Sequence, residues 1–219
     1  MMSNHYSPTA TAHYIGLDLG QVRDPSAIAV MERSEISLGV SPVTFERLVQ
    51  PRYSFRHLER MPLGLDYPSQ VEQVRTLVQR PEFSRSSTSL IVDATGVGRP
   101  VVDLLRRASL PCRLIPVIIT GGDKETSESG IWHVPKRDLM TGLLVLFQRG
   151  EIEICGHLPE AETLAAELAN MRIKVSLSGQ DTYGSWREGQ HDDLVLAAAL
   201  ACWHATRPTY SLVGAGRLL

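Results

Sequence analysis

The 219-residue chain is poor in cysteine, in lysine and in long apolar runs, and each shortage excludes something. Its three cysteines, Cys112, Cys155 and Cys202, lie far apart and form no C-x-x-C pair. An odd, scattered set argues against a disulfide framework or a thiolate zinc site and for a reducing compartment. No apolar stretch reaches the roughly 18 residues that a membrane-spanning helix needs, so no membrane role is expected. Met1–His13 is polar and lacks the apolar centre of a secretory leader. A basic surplus is missing too: 22 Lys plus Arg stand against 24 Asp plus Glu, a formal net charge of −2. Nucleic-acid binders draw much of their affinity from phosphate contacts, so this balance, taken as a whole, argues against one. Lysine is confined to Lys124, Lys136 and Lys174, which leaves arginine as the main cation. Arginine is the better phosphate fork, but the bias fits genome composition equally well.

What is present is the composition of an ordinary folded domain, 43% hydrophobic and 21% charged. The length suits one domain, read here as 13–206 between a lead-in, 1–12, and a tail, 207–219. His13–Asp18, Ser26–Met31 and Val43–Tyr53 are strand-like and closely linked, which predicts an antiparallel meander. The period then changes. Val71, Val74, Leu77 and Val78 predict a helix over Ser69–Gln79, stopped by Pro81. Ser89–Asp93 and Arg113–Ile119 read as buried strands around a helix from Pro100 to Ala108, so parallel central strands are expected. Thr120–Gly130 is polar and glycine-rich and reads as a mobile loop. Lys136–Gln148 and Glu160–Asn170 predict helices, Glu151–Cys155 a short strand, Arg172–Trp186 a polar hairpin, and Asp192–Ala205 a closing helix.

Three sets of acids stand out by position. Asp18 ends the first strand in GLDLG, Asp93 ends a central strand in LIVDATGVG, and Asp192 and Asp193 open the last helix in HDDLVLAAALA. Carboxylates at the carboxyl ends of strands point into the crevice where open α/β sheets place ligands. Each has a plainer role available: the helix pair could cap the helix and complement its dipole, and an acid before glycine often marks a turn. Converging carboxylates repel and rise in pKa unless a divalent cation neutralises them, and oxygen donors suit Mg²⁺ or Mn²⁺. His13, His57, His133, His157 and His204 show no zinc-ligand spacing.

The ordered set YIGLDLG, DPSAIAV, LIVDATGVGRPVVDLL, VPKRDLMTGLLVLFQRGEIEI, LAAEL and GQHDDLVLAAALA, running from Tyr14 to Ala201, resembles the nuclease domain of phage terminase large subunits. Those proteins belong to the RNase H-like, RuvC-like resolvase superfamily. The resemblance implies a mixed α/β fold, an antiparallel meander plus parallel central strands flanked by helices. It implies an endonuclease that cuts concatemeric viral double-stranded DNA, with two Mg²⁺ or Mn²⁺ ions on Asp18, Asp93 and Asp193, and with Asp192 as neighbour or alternative. A packaging ATPase, the small terminase and the portal are the partners implied, in a host bacterial cytoplasm with the chain encoded by a phage or prophage. Two departures matter. Many relatives carry an acid three residues after the position of Asp193, where this chain has Leu196. No G-x-x-x-x-G-K-[ST] loop occurs, so the ATPase must lie outside this sequence.

Lys136 and Arg137, after the glycine-rich loop, are candidate phosphate contacts, or else a solvated helix turn. Trp186 and Arg187 could stack on or clamp DNA, the commoner role of such a tryptophan being to close a small core. His191, beside the acids, belongs first to the helix entry, and second to tuning a ligand. A Holliday-junction resolvase of the same fold and an actin-like ATP-binding domain are the alternatives. The second needs a second phosphate loop and a longer chain, and leaves the HDD helix unexplained.

Overall fold

The computed structural model describes residues 11–20, 24–84, 86–96, 98–178 and 192–207. Strands β1 (Thr11–Asp18), β2 (Ala27–Val40) and β3 (Arg47–Arg60) pair antiparallel in sequence order, as the meander predicts. The third strand starts at Arg47 and not at Val43, because 41–46 close a turn. There the Phe45 N–H donates to the Ser41 carbonyl (2.9 Å), the Ser41 N–H donates to the Glu46 carbonyl (2.8 Å), and Phe45 takes a φ of 57°. β2 and β3 also overrun β1 as a two-stranded ribbon that exposes Leu38, Val40, Val43 and Phe45.

The middle of the chain alternates helix and strand. Helix α1 (Tyr67–Val78) starts where the Asp66 carboxylate accepts from the Ser69 N–H (2.8 Å), with proline in its first turn. A short α2 (Pro81–Ser84) leads to β4 (Ser87–Asp93), α3 (Gly98–Arg107) and β5 (Arg113–Thr120). The segment expected to be a mobile loop instead enters a hairpin, β6 (Thr126–Glu128) and β7 (Ile131–Pro135), turning at Gly130 with a φ of 77°. Sequence reading missed it because β6 is three exposed polar residues with no apolar alternation. Next come α4 (Lys136–Gln148), β8 (Ile152–Ile154), α5 (Ala161–Ser178) and α6 (Asp193–Ala205). The expected hairpin over Arg172–Trp186 is not seen in its first part, where α5 continues as helix through Ser178; the rest lies outside the described residues.

The eight strands among the described residues form one sheet in the order β6-β7-β5-β4-β1-β2-β3-β8. β1, β4, β5 and β7 run parallel beside the antiparallel β1–β3 meander, which gives the mixed sheet flanked by helices that was expected. Its central strands are covered on both faces, hence the nearly unbroken apolar runs HYIGLD and SLIVD. One face carries Tyr14, Ala27, Ala29, Met31 and Ile91 under α4, α5 and α6. The other carries Ile15, Leu17, Ile28, Leu90 and Val92 with residues of α1 and α3.

Helix α6 is central: all its residues except Leu196 and His204 are buried, so it is apolar on every side. It lies directly on β1, where a Cβ at Gly16 would sit 1.8 Å from the Ala197 carbonyl oxygen and 3.1 Å from the Ala201 nitrogen. Cys202 is a buried small hydrophobe in this helix, whereas Cys112 and Cys155 are half-buried. No helix among the described residues is long and apolar enough to cross a membrane.

Candidate active site

The parallel register of β1 and β4 runs through Gly16–Ile91 and Leu17–Val92, so the next residues, Asp18 and Asp93, end neighbouring strands side by side. Strand alternation assigns their faces. Asp18 follows Tyr14 and Gly16, and Asp93 follows Ile91, on the side that α6 covers. α6 runs opposite to β1: Ala197 lies over Gly16, while the His204 ring meets the Tyr14 ring (5.7 Å) further back along the strand. One helical turn before Ala197 is Asp193, which therefore comes in at the Asp18 end. Three acids from β1, β4 and α6 thus share one end of the sheet. All three are buried, at 8%, 9% and 6% exposure for Asp18, Asp93 and Asp193, an unusual state for carboxylates.

The electrostatics follow from that burial. Asp18 is held well above the ordinary carboxylate range, first by loss of water and then by the charges of Asp93, Asp193 and Asp192, with Lys136 opposing. Asp93 is raised as well, again first by burial. The Thr95 N–H, which donates to its Oδ1 at 2.7 Å, and the Lys136 charge hold that rise down. Glu167, from α5, is pushed up to about 7 by burial, against the pull of Arg60.

Among the described residues, two cations reach into this acidic end. The Lys136 Nζ donates to Asp192 Oδ2 at 3.3 Å, and the Arg60 Nη2 lies 3.9 Å from Asp193 Oδ2 while pairing with Glu167. The Glu167 Oε2 in turn accepts from the Val195 N–H (3.2 Å) inside the first turn of α6. Arg60 and Glu167 were not picked out as site residues from the sequence. The one signal available was a glutamate in the otherwise apolar LAAEL; Arg60 reaches it only because β3 ends there.

Of the candidate DNA contacts, Lys136 points back at the acids, and Arg137 pairs with Asp123 (3.3 Å) and Asp138 (3.4 Å). Trp186, Arg187 and His191 lie outside the described residues. Leu196, at the position where many relatives carry an acid, is packed against the core. Between the paired aspartates, Asp193 is the buried one, while Asp192 precedes the helix, caps it with no side-chain hydrogen bond and faces Lys136.

Among the described residues no three His, Cys, Asp or Glu side chains are gathered as a ready-made ion cage. The acids share one field, not one coordination shell. The donor set nonetheless fits a hard divalent cation: oxygen only and buried, with burial first and the neighbouring carboxylates second pushing Asp18 up.

The fold is similar to the nuclease domain of the large terminase of bacteriophage SPP1, solved with bound Mn, at 13% identity over 88% of this chain and 86% of that one, with a TM-score of 0.49. It is also similar to RuvC of Thermus thermophilus at 11% identity over 89% of this chain and 92% of that one, with a TM-score of 0.39. No protein-family model and no curated protein matches the chain.

Proposed function

We propose that this chain is a metal-dependent endodeoxyribonuclease that cuts double-stranded DNA. The observation that carries the reading is the burial of Asp18, Asp93 and Asp193 together at one end of the sheet, with the Asp18 carboxyl driven up by that burial and then by its acidic neighbours. A fold has no stability reason to bury three mutually repelling acids, and perturbed groups of this kind mark functional sites. When bound, two Mg²⁺ or Mn²⁺ ions supply the Lewis acidity for phosphodiester hydrolysis, and Asp18, Asp93 and Asp193, with Asp192 beside them, would hold them. The chain's own part is to fix those carboxylates on rigid elements, two strand ends and a helix start, and to keep water away from their apolar side. Lys136 places a positive charge within reach of Asp18, Asp93 and Asp192, where it limits their repulsion.

The resemblance carried by the motifs supplies the biological setting of this reading. It is cleavage of concatemeric viral DNA during packaging, by a phage- or prophage-encoded chain in the host cytoplasm. Its partners are a packaging ATPase domain or subunit, the small terminase and the portal. The net charge of −2 fits a cutter that receives its substrate from a partner, since little phosphate affinity comes from the chain itself. Supercoiled plasmid incubated with the protein is expected to be nicked and linearised in Mn²⁺ or Mg²⁺ and left intact in chelator, with activity falling steeply as salt rises. Persistence of cleavage in chelator contradicts the proposal. Preference for four-way junctions over linear duplex redirects it to a resolvase, and ATP binding by the chain redirects it to an actin-like domain.

A further inference from the structure

Helix α6 begins with an unusual division of labour. Asp192, the residue in the cap position, makes no side-chain hydrogen bond to the helix, and its carboxylate meets Lys136 instead. The third N–H of the helix, that of Val195, is taken by the Glu167 carboxylate from α5, 28 residues earlier in the chain. An N-cap is ordinarily local, because a side chain within a few residues satisfies the first free N–H groups. Here the cap is supplied by another element. Glu167 is itself anchored, its second oxygen pairing with Arg60 at the end of β3, and that same guanidinium approaches Asp193. Three elements, β3, α5 and α6, therefore meet at the turn that carries Asp193.

From this geometry we infer that Glu167, held by Arg60, is a positioning residue that sets the first turn of α6 so that Asp193 faces Asp18 and Asp93. The inference rests on the reading of those acids as metal ligands and extends it to a residue that touches none of the reacting atoms. Its logic is that of an outer layer around a metal site, in which groups behind the ligands hold them in place; here the hold is on the backbone of the turn that carries Asp193. Apolar packing of Leu194, Val195 and Ala197 fixes the helix as a whole. It does not fix the rotation of its first residue, which is where a cap acts. An acceptor oxygen for a free N–H at a helix N-terminus is favourable on its own account, so Glu167 also offsets the loss of a local cap at Asp192.

Mn²⁺ binding followed by electron paramagnetic resonance is the test, on the full chain, for the wild type, Glu167→Ala and Glu167→Gln, with amide exchange at Val195 measured alongside. Glu167→Ala is expected to weaken Mn²⁺ binding by about 10–100-fold, the usual cost of losing an outer partner of a ligand. It is also expected to speed exchange of the Val195 amide. Glu167→Gln keeps an acceptor oxygen for that N–H but loses the charge opposite Arg60, so its affinity should fall between the two. A role in stability alone would lower the melting temperature and leave the Mn²⁺ affinity of the folded protein unchanged in both variants; that result overturns the inference. Wild-type protein that binds no Mn²⁺ overturns the metal reading beneath it, and this inference with it.

Discussion

Asp18→Asn and Asp93→Asn should each cut plasmid-cleaving activity by about 10²–10³-fold, the loss typical of removing one group that stabilises a transition state electrostatically. In metal-free buffer, Asp18→Asn should at the same time melt higher than the wild type at neutral pH. The two effects share one cause. Asp18 is raised by burial and by three neighbouring carboxylates, so at pH 7 its charge works against folding. The sign follows from proton uptake. A carboxyl whose pKa is higher in the folded than in the unfolded chain binds more protons when folded. Its stabilising contribution is therefore present at acid pH and is lost as pH rises above the ordinary carboxylate range. The gain in melting temperature from Asp18→Asn should accordingly be largest near pH 7 and shrink towards pH 4, as read by thermal melts across that window. Asparagine preserves shape, so a gain in stability paired with loss of cleavage marks a functional acid. Equal or lower stability at pH 7 would show that the acids are held by compensating contacts instead.

Gly16→Ala should be among the most damaging single-methyl additions available in this fold. The added Cβ would lie 1.8 Å from the Ala197 carbonyl oxygen and 2.8 Å from its carbon, both backbone atoms that cannot rotate away. Relief requires α6 to lift from β1, and α6 is buried nearly all round. Overpacking in cores costs about 1–3 kcal/mol and occasionally more, and a backbone clash belongs at or beyond the top of that range. For a domain of this size about 3 kcal/mol lowers the melting temperature by roughly 10 °C. The natural control is Gly142, inside α4, where an added Cβ meets nothing within 4 Å. Gly142→Ala should be neutral or stabilising by up to about 1 kcal/mol, from helix propensity alone. Comparable melting temperatures for the two variants would mean that α6 does not press on β1 as described. A lifted α6 also moves Asp193 away from Asp18, so any Gly16→Ala protein that folds should lose Mn²⁺ affinity as well.

Elements with a strong apolar period were legible in the chain. Helix α4 matches its expected bounds, Lys136–Gln148, because Leu139, Leu143, Leu144 and Phe147 repeat along one side and Gly150 follows its end. β1 and β4 end at Asp18 and Asp93, where buried runs meet glycine-containing loops. The convergence of these acids was expected from their places at strand ends, and register with alternation then puts both on the α6 side. What escaped was either short and polar or assembled across distance. β6 has no buried residue, so nothing in its composition separates it from a loop. The overrun of β2 and β3 depends on the two strands pairing with each other, a property that neither reveals alone. Glu167 and Arg60 lie more than a hundred residues apart, and their shared task exists only once α5, β3 and α6 have packed together.

Diffraction from Mn²⁺-soaked crystals reads out whether Asp18, Asp93 and Asp193 form the divalent-cation centre proposed for one end of the sheet. Anomalous density is expected between the Asp18 and Asp93 carboxylates, with Asp193 drawn in from the start of α6. The peak should be absent in Asp93→Asn crystals soaked in the same way. Ordered Mn²⁺ elsewhere on the protein with none between those carboxylates, or the same peak in the Asp93→Asn protein, would rule that centre out.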